Sequence, residues 1–493
     1  MNIRSSVFRR KFSFNLHKNM KIVLSKMTFN KDFLHTGNRG DLYPTVFEGG
    51  ISDGNLTERV HDGKYTVTAA DGAYRARLIG EYFPYATCEA TVLDHVSGEL
   101  GFAFNFPDRP LSVSIKSGDA GSSILLRDGD LTECIPSDVT LESGDGFVVS
   151  SRYCAIDVFV RKKGFCKLIC TFKPENYEFT VKSETVRETK ISLYERGSFT
   201  LSAVDVSVDC GLSTADIRPI KNECGDVLVE QGRVYLSATI RTVELKYQGI
   251  FSWLPGTADL RLEGVIFFDV GDGIIGADVA SSIVYDRKLD LWHIWYCSFS
   301  HDHILAYVRS EGDVRFGVNV LDAKLMPMAG AGDPETAFLG RVGDEDPDLT
   351  YDPTSGKWYL TVCRLVDYPD KKYYRYFLFE SNRPDGGFTY VTRTQSGDET
   401  GGNIVRIGDK LHFICGSGFD RRAEYHVYDL PQFSNLTNAT FDYDDGGFRG
   451  WGTLLPLKIG TRTRYFWLTF DRHLATHFNW SYGNIYCFEA DGK

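Results

Sequence analysis

Two stretches in the second half of this 493-residue chain repeat one pattern at a spacing of 66 residues. In each, an acidic opening leads into a β-rich segment, a turn and a returning aromatic segment, and a third stretch at 398–415 has the same order. Repeats of roughly 50 residues with several short strands are typical of a β-propeller. The repeat therefore predicts blades that each begin with an acid near a central axis. The matched residues are Tyr285 and Tyr351, Asp286 and Asp352, Trp292 and Trp358, and Cys297 and Cys363.

Five such units fit into residues 211–493, which predicts a five-bladed propeller. The first unit is placed at 226–241 and the fifth at 453–489, with the three repeated stretches between them. No segment of the chain has a long helical periodicity, so the sequence predicts an all-β protein.

Residues 33–210 contain many short segments in which apolar and polar residues alternate, for example 177–182, separated by Asp, Gly and Ser turns. Such strands without intervening helices predict a β-sandwich. The run 86–106 is similar to the paired inner strands of a concanavalin-like jelly roll. All seven tryptophans lie after residue 210, so this position is expected to separate a sandwich domain, 33–210, from a propeller domain, 211–493.

The first 31 residues contain eight lysines and arginines and no acid. They are not followed by the apolar core and cleavage site of a targeting signal. We expect residues 1–32 to form a disordered basic tail.

Bulk composition narrows the class of partner. A net charge of −11 argues against a nucleic-acid partner, and no apolar run approaches the ~18 residues that span a bilayer. Eleven cysteines are scattered without zinc-site spacing, which indicates reduced thiols, a cytoplasmic location and no metal. No glycine-rich dinucleotide loop is found, so no cofactor is expected. The sequence does not indicate an oligomeric state.

Four acids, Asp344, Glu345, Asp346 and Asp348, stand within five residues ahead of a predicted strand. Carboxylates this close repel one another unless they line a polar cavity or hold a cation. The first alternative predicts a functional pocket. The second leaves a structural Ca²⁺ open, although no loop has regular calcium-ligand spacing.

The stretch 346–352 and the following Lys357-Trp-Tyr-Leu resemble a blade-opening motif of the five-bladed glycoside hydrolases. Glu399, with a turn glycine nine positions later at Gly408, resembles the opening of the next blade. The resemblance is chiefly to family 43 and extends to its relatives in families 32, 62, 117 and 130.

The resemblance implies that Glu399 is the general acid that protonates the departing glycosidic oxygen, and that Asp346 orients this acid and raises its pKa. It also implies a third carboxylate that activates water or acts as a nucleophile. Where the family carries this carboxylate, the chain has Cys224. Asp226 nearby and Asp278, which opens the second blade, are the candidates, so a retaining or inverting outcome stays open.

Further side chains are candidates for binding a sugar. Aromatic faces stack on sugar rings, histidines bond to hydroxyls, and arginines bind anionic groups. The structural alternatives are a blade-packing tryptophan, a solvent-facing histidine loop and a salt bridge within the propeller. The candidate substrate-binding residues are Trp451, His301, His303, Arg364, Arg472 and Asp348.

The leading hypothesis is an exo-acting glycoside hydrolase for short oligosaccharides or glycosides of the arabinofuranoside, xyloside or fructoside type. One alternative is a glycoside phosphorylase similar to family 130, in which phosphate replaces the base. The other is a non-catalytic carbohydrate-binding protein. Release of a sugar 1-phosphate, or binding without product, distinguishes these alternatives.

Overall fold

The computed structural model describes residues 6–15, 21–27, 50–53, 56–69, 74–107, 109–118, 121–174, 176–209, 213–242, 246–328, 340–367, 372–417, 425–442, 448–471 and 484–490. The chain divides into two compact units. One is Lys21–Asp209, and the other combines Met1–Met20 with Cys210–Lys493.

The unit that contains the C-terminal half is a five-bladed β-propeller. Each blade is one mainly antiparallel sheet, and the first long strands of the five blades contact one another in a ring. These five strands are called the inner strands, and each opens its blade.

The strands of each blade are as follows. Blade 1 contains Ser213–Pro219, Val229–Glu230, Arg233–Arg241, Lys246–Trp253, Leu260–Asp269 and Gly317–Asp322. Blade 2 contains Lys221–Asn222, Asp278–Asp286, Leu291–Ser298, Ile304–Ser310 and Lys324–Leu325. Blade 3 contains Gly340–Asp352, Lys357–Asp367, Lys372–Ser381 and Thr389–Arg393. Blade 4 contains Glu399–Ile407, Lys410–Ser417, Tyr425–Asp429 and Ser434–Asn438. Blade 5 contains Val7–Asn15, Thr440–Phe441, Phe448–Ile459, Arg462–Asp471 and Asn484–Ala490.

A β-bulge interrupts every inner strand near its beginning. In four blades the bulge holds a residue with positive φ: Asp216 at 54°, Ala280 at 60°, Asp346 at 49° and Gly401 at 62°. A bulge leaves one residue out of the ladder and redirects its side chain. Non-glycine residues rarely adopt positive φ, so the two aspartates occupy a conformation that the repeated bulge imposes.

Directly after the bulges, polar side chains join the blades across the axis. The carboxylate of Asp348 accepts hydrogen bonds from the Ser282 hydroxyl at 2.9 Å, the Ile404 backbone N–H at 2.6 Å and the Lys221 ammonium at 2.5 Å. Asp348 and Lys221 are buried, so this ion pair and its hydrogen bonds tie blades 2, 3 and 4 together in a region shielded from water.

Apolar residues fill the spaces between neighbouring blades. The repeated tryptophans lie at matching positions in successive layers, Trp292 between blades 1 and 2 and Trp358 between blades 2 and 3. This is the packing reason for the aromatic returning strand in each repeat.

The expected disordered tail at residues 1–32 is wrong for the part of it that the structure describes. Val7–Asn15 pairs with Asn484–Ala490 in blade 5, and Lys21–Met27 pairs with Lys190–Asp209 in the other unit. Phe8 is buried edge-on against Trp467, with ring centroids 5.2 Å apart. The basic residues of this strand are exposed. Because they dominate its composition, the alternating apolar residues of the strand were not recognised in the sequence.

The unit Lys21–Asp209 is built from antiparallel strands, two of them long. Thr87–Asn105 and Lys190–Asp209 pair with each other over most of their lengths and also with several shorter strands. The concanavalin-like jelly roll stays a prediction. The strands of this unit are Lys21–Met27, Gly50–Asp53, Leu56–His61, Lys64–Ala69, Tyr74–Glu81, Thr87–Asn105, Leu111–Gly118, Gly121–Asp128, Leu131–Ser137, Gly146–Arg152, Ala155–Lys162, Phe165–Phe172 and Lys190–Asp209.

The strand expected at 177–182 is wrong. Asn176 has a left-handed backbone, and a 3-10 turn, Tyr177–Thr180, and a short α-helix, Ser183–Glu188, follow it. In the part of the chain that the structure describes, no helix is long and apolar enough to cross a membrane.

Candidate active site

Acidic side chains gather at one end of the propeller, where the inner strands begin. Asp278, Asp344 and Glu399 occupy matching positions two residues before the bulge in blades 2, 3 and 4. Asp216 and Asp346 occupy the bulge itself in blades 1 and 3. We call this end of the propeller the acid cluster.

Asp346 connects blade 3 to blade 4. One carboxylate oxygen accepts hydrogen bonds from the Thr400 hydroxyl at 3.1 Å and the Gly401 backbone N–H at 3.0 Å. The other lies 3.4 Å from an Nη of Arg218, a buried arginine of blade 1. Burial raises the pKa of Asp346, and the nearby negative charge of Asp216 raises it further, while Arg218 opposes the shift.

Glu399 is buried immediately before the two residues that bind Asp346. Its Oε1 lies 2.7 Å from Nδ1 of His426 and accepts a hydrogen bond from the Tyr428 hydroxyl. Its Oε2 is buried without a hydrogen-bond partner among the described residues. The protein therefore fixes one oxygen of this carboxylate and not the other.

Asp216 is the acid that the sequence analysis missed. Its Oδ2 accepts a hydrogen bond from the Thr239 hydroxyl at 2.8 Å, and it lies close enough to interact electrostatically with Asp346 and Arg218. Blade 1 was expected to begin near residue 226, but its inner strand is Ser213–Pro219. A sequence signal for Asp216 was available. One apolar residue, one charged residue and a proline follow it directly and lead into the next strand.

Asp278 lies at the same end of the propeller. Its Oδ1 accepts a hydrogen bond from the Ser298 hydroxyl at 2.9 Å. Burial raises the pKa of Asp278 to about 6, against an ordinary value of 3.8. It belongs to the acid cluster, next to the loop that carries His301.

Asp226, the other candidate for the third carboxylate, lies at the opposite end of the propeller, so this prediction is wrong. It is about half exposed, 3.8 Å from Arg406, and both line a cavity of about 460 Å³ there. Arg406 follows Glu399 by seven residues of extended strand, a separation of about 20 Å. Asp226 therefore cannot act on a bond that Glu399 protonates.

Two of the expected substrate-binding residues are instead structural. Both carboxylate oxygens of Asp348 accept the inter-blade hydrogen bonds described above. Arg364 is buried, donates from Nε to Asp344 Oδ1 at 2.8 Å and lies about 5 Å from the ring centroids of Phe377 and Phe379. Neither side chain has a free face for a sugar.

The two histidines lie at the rim of the acid cluster. His301 Nδ1 is 2.9 Å from the Ser298 hydroxyl, and His303 Nδ1 is 2.7 Å from Glu345 Oε1. Both are partly exposed and stay candidates for binding a sugar hydroxyl. Trp451 lies in the inner strand of blade 5 with its side chain outside the described part, and Arg472 lies outside the described residues.

The four clustered acids each face a basic group of the protein. Asp344 pairs with Arg364, Asp346 with Arg218, Asp348 with Lys221, and Glu345 with His303. Repulsion among the acids is thus relieved within the chain. Among the described residues, no three of these four acids bring ligand oxygens within 4.8 Å of one another, as a shared Ca²⁺ would require.

No protein-family model and no curated protein sequence matches the chain. Among solved structures, the α-L-arabinofuranosidase PaAbf62A from Podospora anserina is similar at 12% identity, with 57% of this chain and 91% of that chain covered and a TM-score of 0.38. A thermostable family-43 glycoside hydrolase is similar at 12% identity, with 57% of this chain and 95% of that chain covered and a TM-score of 0.37. An inulosucrase from Halalkalicoccus jeotgali is similar at 12% identity, with 57% of this chain and 85% of that chain covered and a TM-score of 0.40.

Proposed function

We propose that the protein is a glycoside hydrolase whose chemistry is performed by Glu399, Asp346 and Asp216. The observation that carries this proposal is the joining of three acids from three blades. Asp346 binds the two residues that follow Glu399, and Asp216 occupies the matching bulge within electrostatic reach of Asp346. Cleavage of a glycosidic bond needs an acid and a second carboxylate that face one bond.

In the proposed mechanism, Glu399 donates its proton to the departing glycosidic oxygen. His426 and Tyr428 hold Oε1, so the proton is carried on Oε2, which has no hydrogen-bond partner among the described residues. Asp346 fixes the start of the Glu399 strand through Thr400 and Gly401.

Asp216 is proposed as the third carboxylate, which activates water or attacks the anomeric carbon. Its bulge turns the side chain out of the ladder, and the Thr239 hydroxyl fixes one oxygen. Asp278 lies in the same cluster and is the second choice for this role. The substrate type proposed is a short oligosaccharide or glycoside cleaved from its end, of the arabinofuranoside, xyloside or fructoside type.

The test compares substrates with poor and good leaving groups. In Glu399→Gln, kcat/KM for arabinobiose or xylobiose should fall about 10²- to 10⁴-fold, because protonation of the leaving oxygen is lost. The corresponding 4-nitrophenyl glycosides need less protonation and should lose much less. Glu311→Gln is the matched control, since the Glu311 side chain is 84% exposed in the connection that follows the Ile304–Ser310 strand of blade 2.

Asp216→Asn should reduce turnover of both substrate types, because the third carboxylate acts whatever the leaving group is. Wild-type turnover of a disaccharide by Glu399→Gln would refute the assignment of the acid. Unchanged turnover by Asp216→Asn would transfer the third role to Asp278. Thermal unfolding of each variant checks that the fold is kept.

A further inference from the structure

Two basic residues face each other beside the acid cluster. Arg241 ends the second long strand of blade 1, Lys246 begins the next, and the two are directly opposite in the antiparallel register. Directly opposed residues project from the same face of a sheet, and like charges in this arrangement are destabilising. The juxtaposition of these two cations therefore requires a physical explanation.

Neither cation has an acidic partner within ion-pair distance among the described residues. Nε of Arg241 is buried without a hydrogen-bond partner, and Nζ of Lys246 lies 3.9 Å from the ring centroid of Phe299. Arg218, Lys221 and Arg364 each pair directly with an aspartate. Arg241 and Lys246 thus differ from the other buried or half-buried cations near the axis.

The position of the pair links it to the proposed chemistry. Arg241 pairs with Ser213 at the start of the blade 1 inner strand, three residues before Asp216. Thr239, two residues before Arg241 and on the same face, binds the Asp216 carboxylate. Lys246 lies within electrostatic reach of Asp216 and Glu345. The two cations therefore lie beside the proposed third carboxylate.

The electrostatics of Lys246 agree with a missing anion. Burial lowers the pKa of Lys246, and the charge of Arg241 lowers it further. An oxyanion placed between the two groups would relieve both effects, because the guanidinium donates in a planar fork and the ammonium donates as a point charge.

We propose that Arg241 and Lys246 bind an oxyanion that enters the acid cluster with the substrate. This rests on the proposed function and narrows its substrate class. The oxyanion has two sources. One is the carboxylate of a uronic acid at or next to the cleaved residue. The other is free phosphate, whose oxygen bonds to the anomeric carbon as the glycosidic C–O bond breaks and Glu399 protonates the leaving oxygen.

The test is calorimetric binding to the full chain, which needs no turnover. The probes are two matched pairs, D-glucuronate with D-xylose and D-galacturonate with L-arabinose, together with inorganic phosphate. Each pentose lacks the carboxylate group that the matched uronate carries on the same ring stereochemistry. The variants are Arg241→Gln and Lys246→Gln, and the control is Arg309→Gln, an exposed arginine of blade 2.

A uronate source predicts that one uronate binds at least about tenfold tighter than its pentose, as a hydrogen-bonded charge pair gives. A phosphate source predicts phosphate binding without that preference, and sugar 1-phosphate among the reaction products. In either case, both Gln variants lose the anion binding and Arg309→Gln keeps it. Two variants guard against one that fails to fold.

Equal binding of uronate and pentose, together with no phosphate binding by the wild type, would overturn the oxyanion site. So would anion binding that survives in both folded Gln variants. Anion binding without cleavage of any glycoside would leave this site standing and remove the proposed hydrolase function instead.

Discussion

The thiols of Cys297 and Cys363 join neighbouring blades. Cys297 donates to the backbone carbonyl of Asp344 at 3.3 Å, and Cys363 donates to that of Glu399 at the same distance. Each buried cysteine thus supports the acid that opens the next blade. Because a thiol is small and a weak donor, it fits between close-packed strands where a larger polar group would not.

Asp278 should make stability depend on pH. Its pKa of about 6 in the fold exceeds its ordinary value of 3.8, so the folded protein holds a proton that the unfolded chain releases. The stability from this proton is present at low pH and lost as pH rises through about 6. Asp278→Asn keeps the group neutral, so its Tm relative to wild type should increase between pH 4 and 7.

The full effect corresponds to about 3 kcal/mol at neutral pH. Thermal unfolding of both proteins across this pH range measures it, and Asp409→Asn, at an exposed turn of blade 4, serves as the control. A constant difference in Tm between variant and wild type would show that Asp278 is ionised in the fold.

At single positions, sequence reasoning was most informative where a residue stands in a repeated pattern. Asp346 and Glu399 were singled out because each opens a repeat, and the structure places both at the same end of adjacent blades, while their catalytic roles stay a prediction. Asp216 was missed because its blade lacks the Asp-Pro motif. Arg364 and Asp348 were misassigned because sequence alone does not distinguish an ion pair between blades from an exposed binding group.

At the scale of the strand, the bulges decide where the acids point. A regular strand alternates its side chains between two faces, whereas the extra residue of a bulge leaves the ladder. Four inner strands place a residue with φ near +50° to +60° at this position. The repeated backbone feature therefore places Asp216 and Asp346 on the axis in the same way.

The inner strands are held together by the buried pair of Lys221 and Asp348. Lys221→Met removes one charge and leaves the buried Asp348 carboxylate with only neutral hydrogen-bond donors. We expect a loss of about 3–5 kcal/mol in the free energy of unfolding, as for other broken buried pairs. Urea unfolding measures it, with Lys357→Met in blade 3 as a partly exposed control.

Replacing both members, Lys221→Met with Asp348→Leu, removes the unpaired charge as well. The double variant should recover much of the loss if the cost of Lys221→Met is an uncompensated carboxylate. A single variant as stable as the wild type would mean that the pair does not hold the blades together.

For the whole propeller, the N-terminal strand closes the ring by pairing with the Asn484–Ala490 strand of blade 5. Val7–Asn15 is hydrogen bonded along the edge of Asn484–Ala490 and buries Phe8 and Phe14. Phe14 also lies edge-on to Trp253 of blade 1, with centroids 6.2 Å apart. The two ends of the unit thus meet in one sheet, next to the first blade.

Deletion of residues 1–16 should destabilise the propeller. Two buried phenylalanines contribute about 1.5–3 kcal/mol each, and the exposed strand edge of blade 5 invites association. We expect a lower Tm and aggregation, measured by thermal unfolding and light scattering. Deletion of residues 1–5, which precede the strand, is the control.

A rescue variant makes the interpretation specific. Residues 6–15 are moved to the C-terminus behind a glycine-serine linker, which lets the same strand pair with Asn484–Ala490. Recovery of the wild-type Tm would confirm that closure is the cause of the loss. A truncated protein with unchanged Tm would contradict the role of this strand.

The all-β class and the five-bladed count could be predicted from the sequence alone, because blade packing requires the same aromatic and turn residues in every repeat. Such a requirement is local, so it is visible as a period along the chain. The three-dimensional structure was needed to show that the basic N-terminal segment pairs into blade 5, and that Asp216 and not Asp226 lies with the other acids. Those outcomes depend on which distant segments meet across the axis, and no spacing within one segment records that.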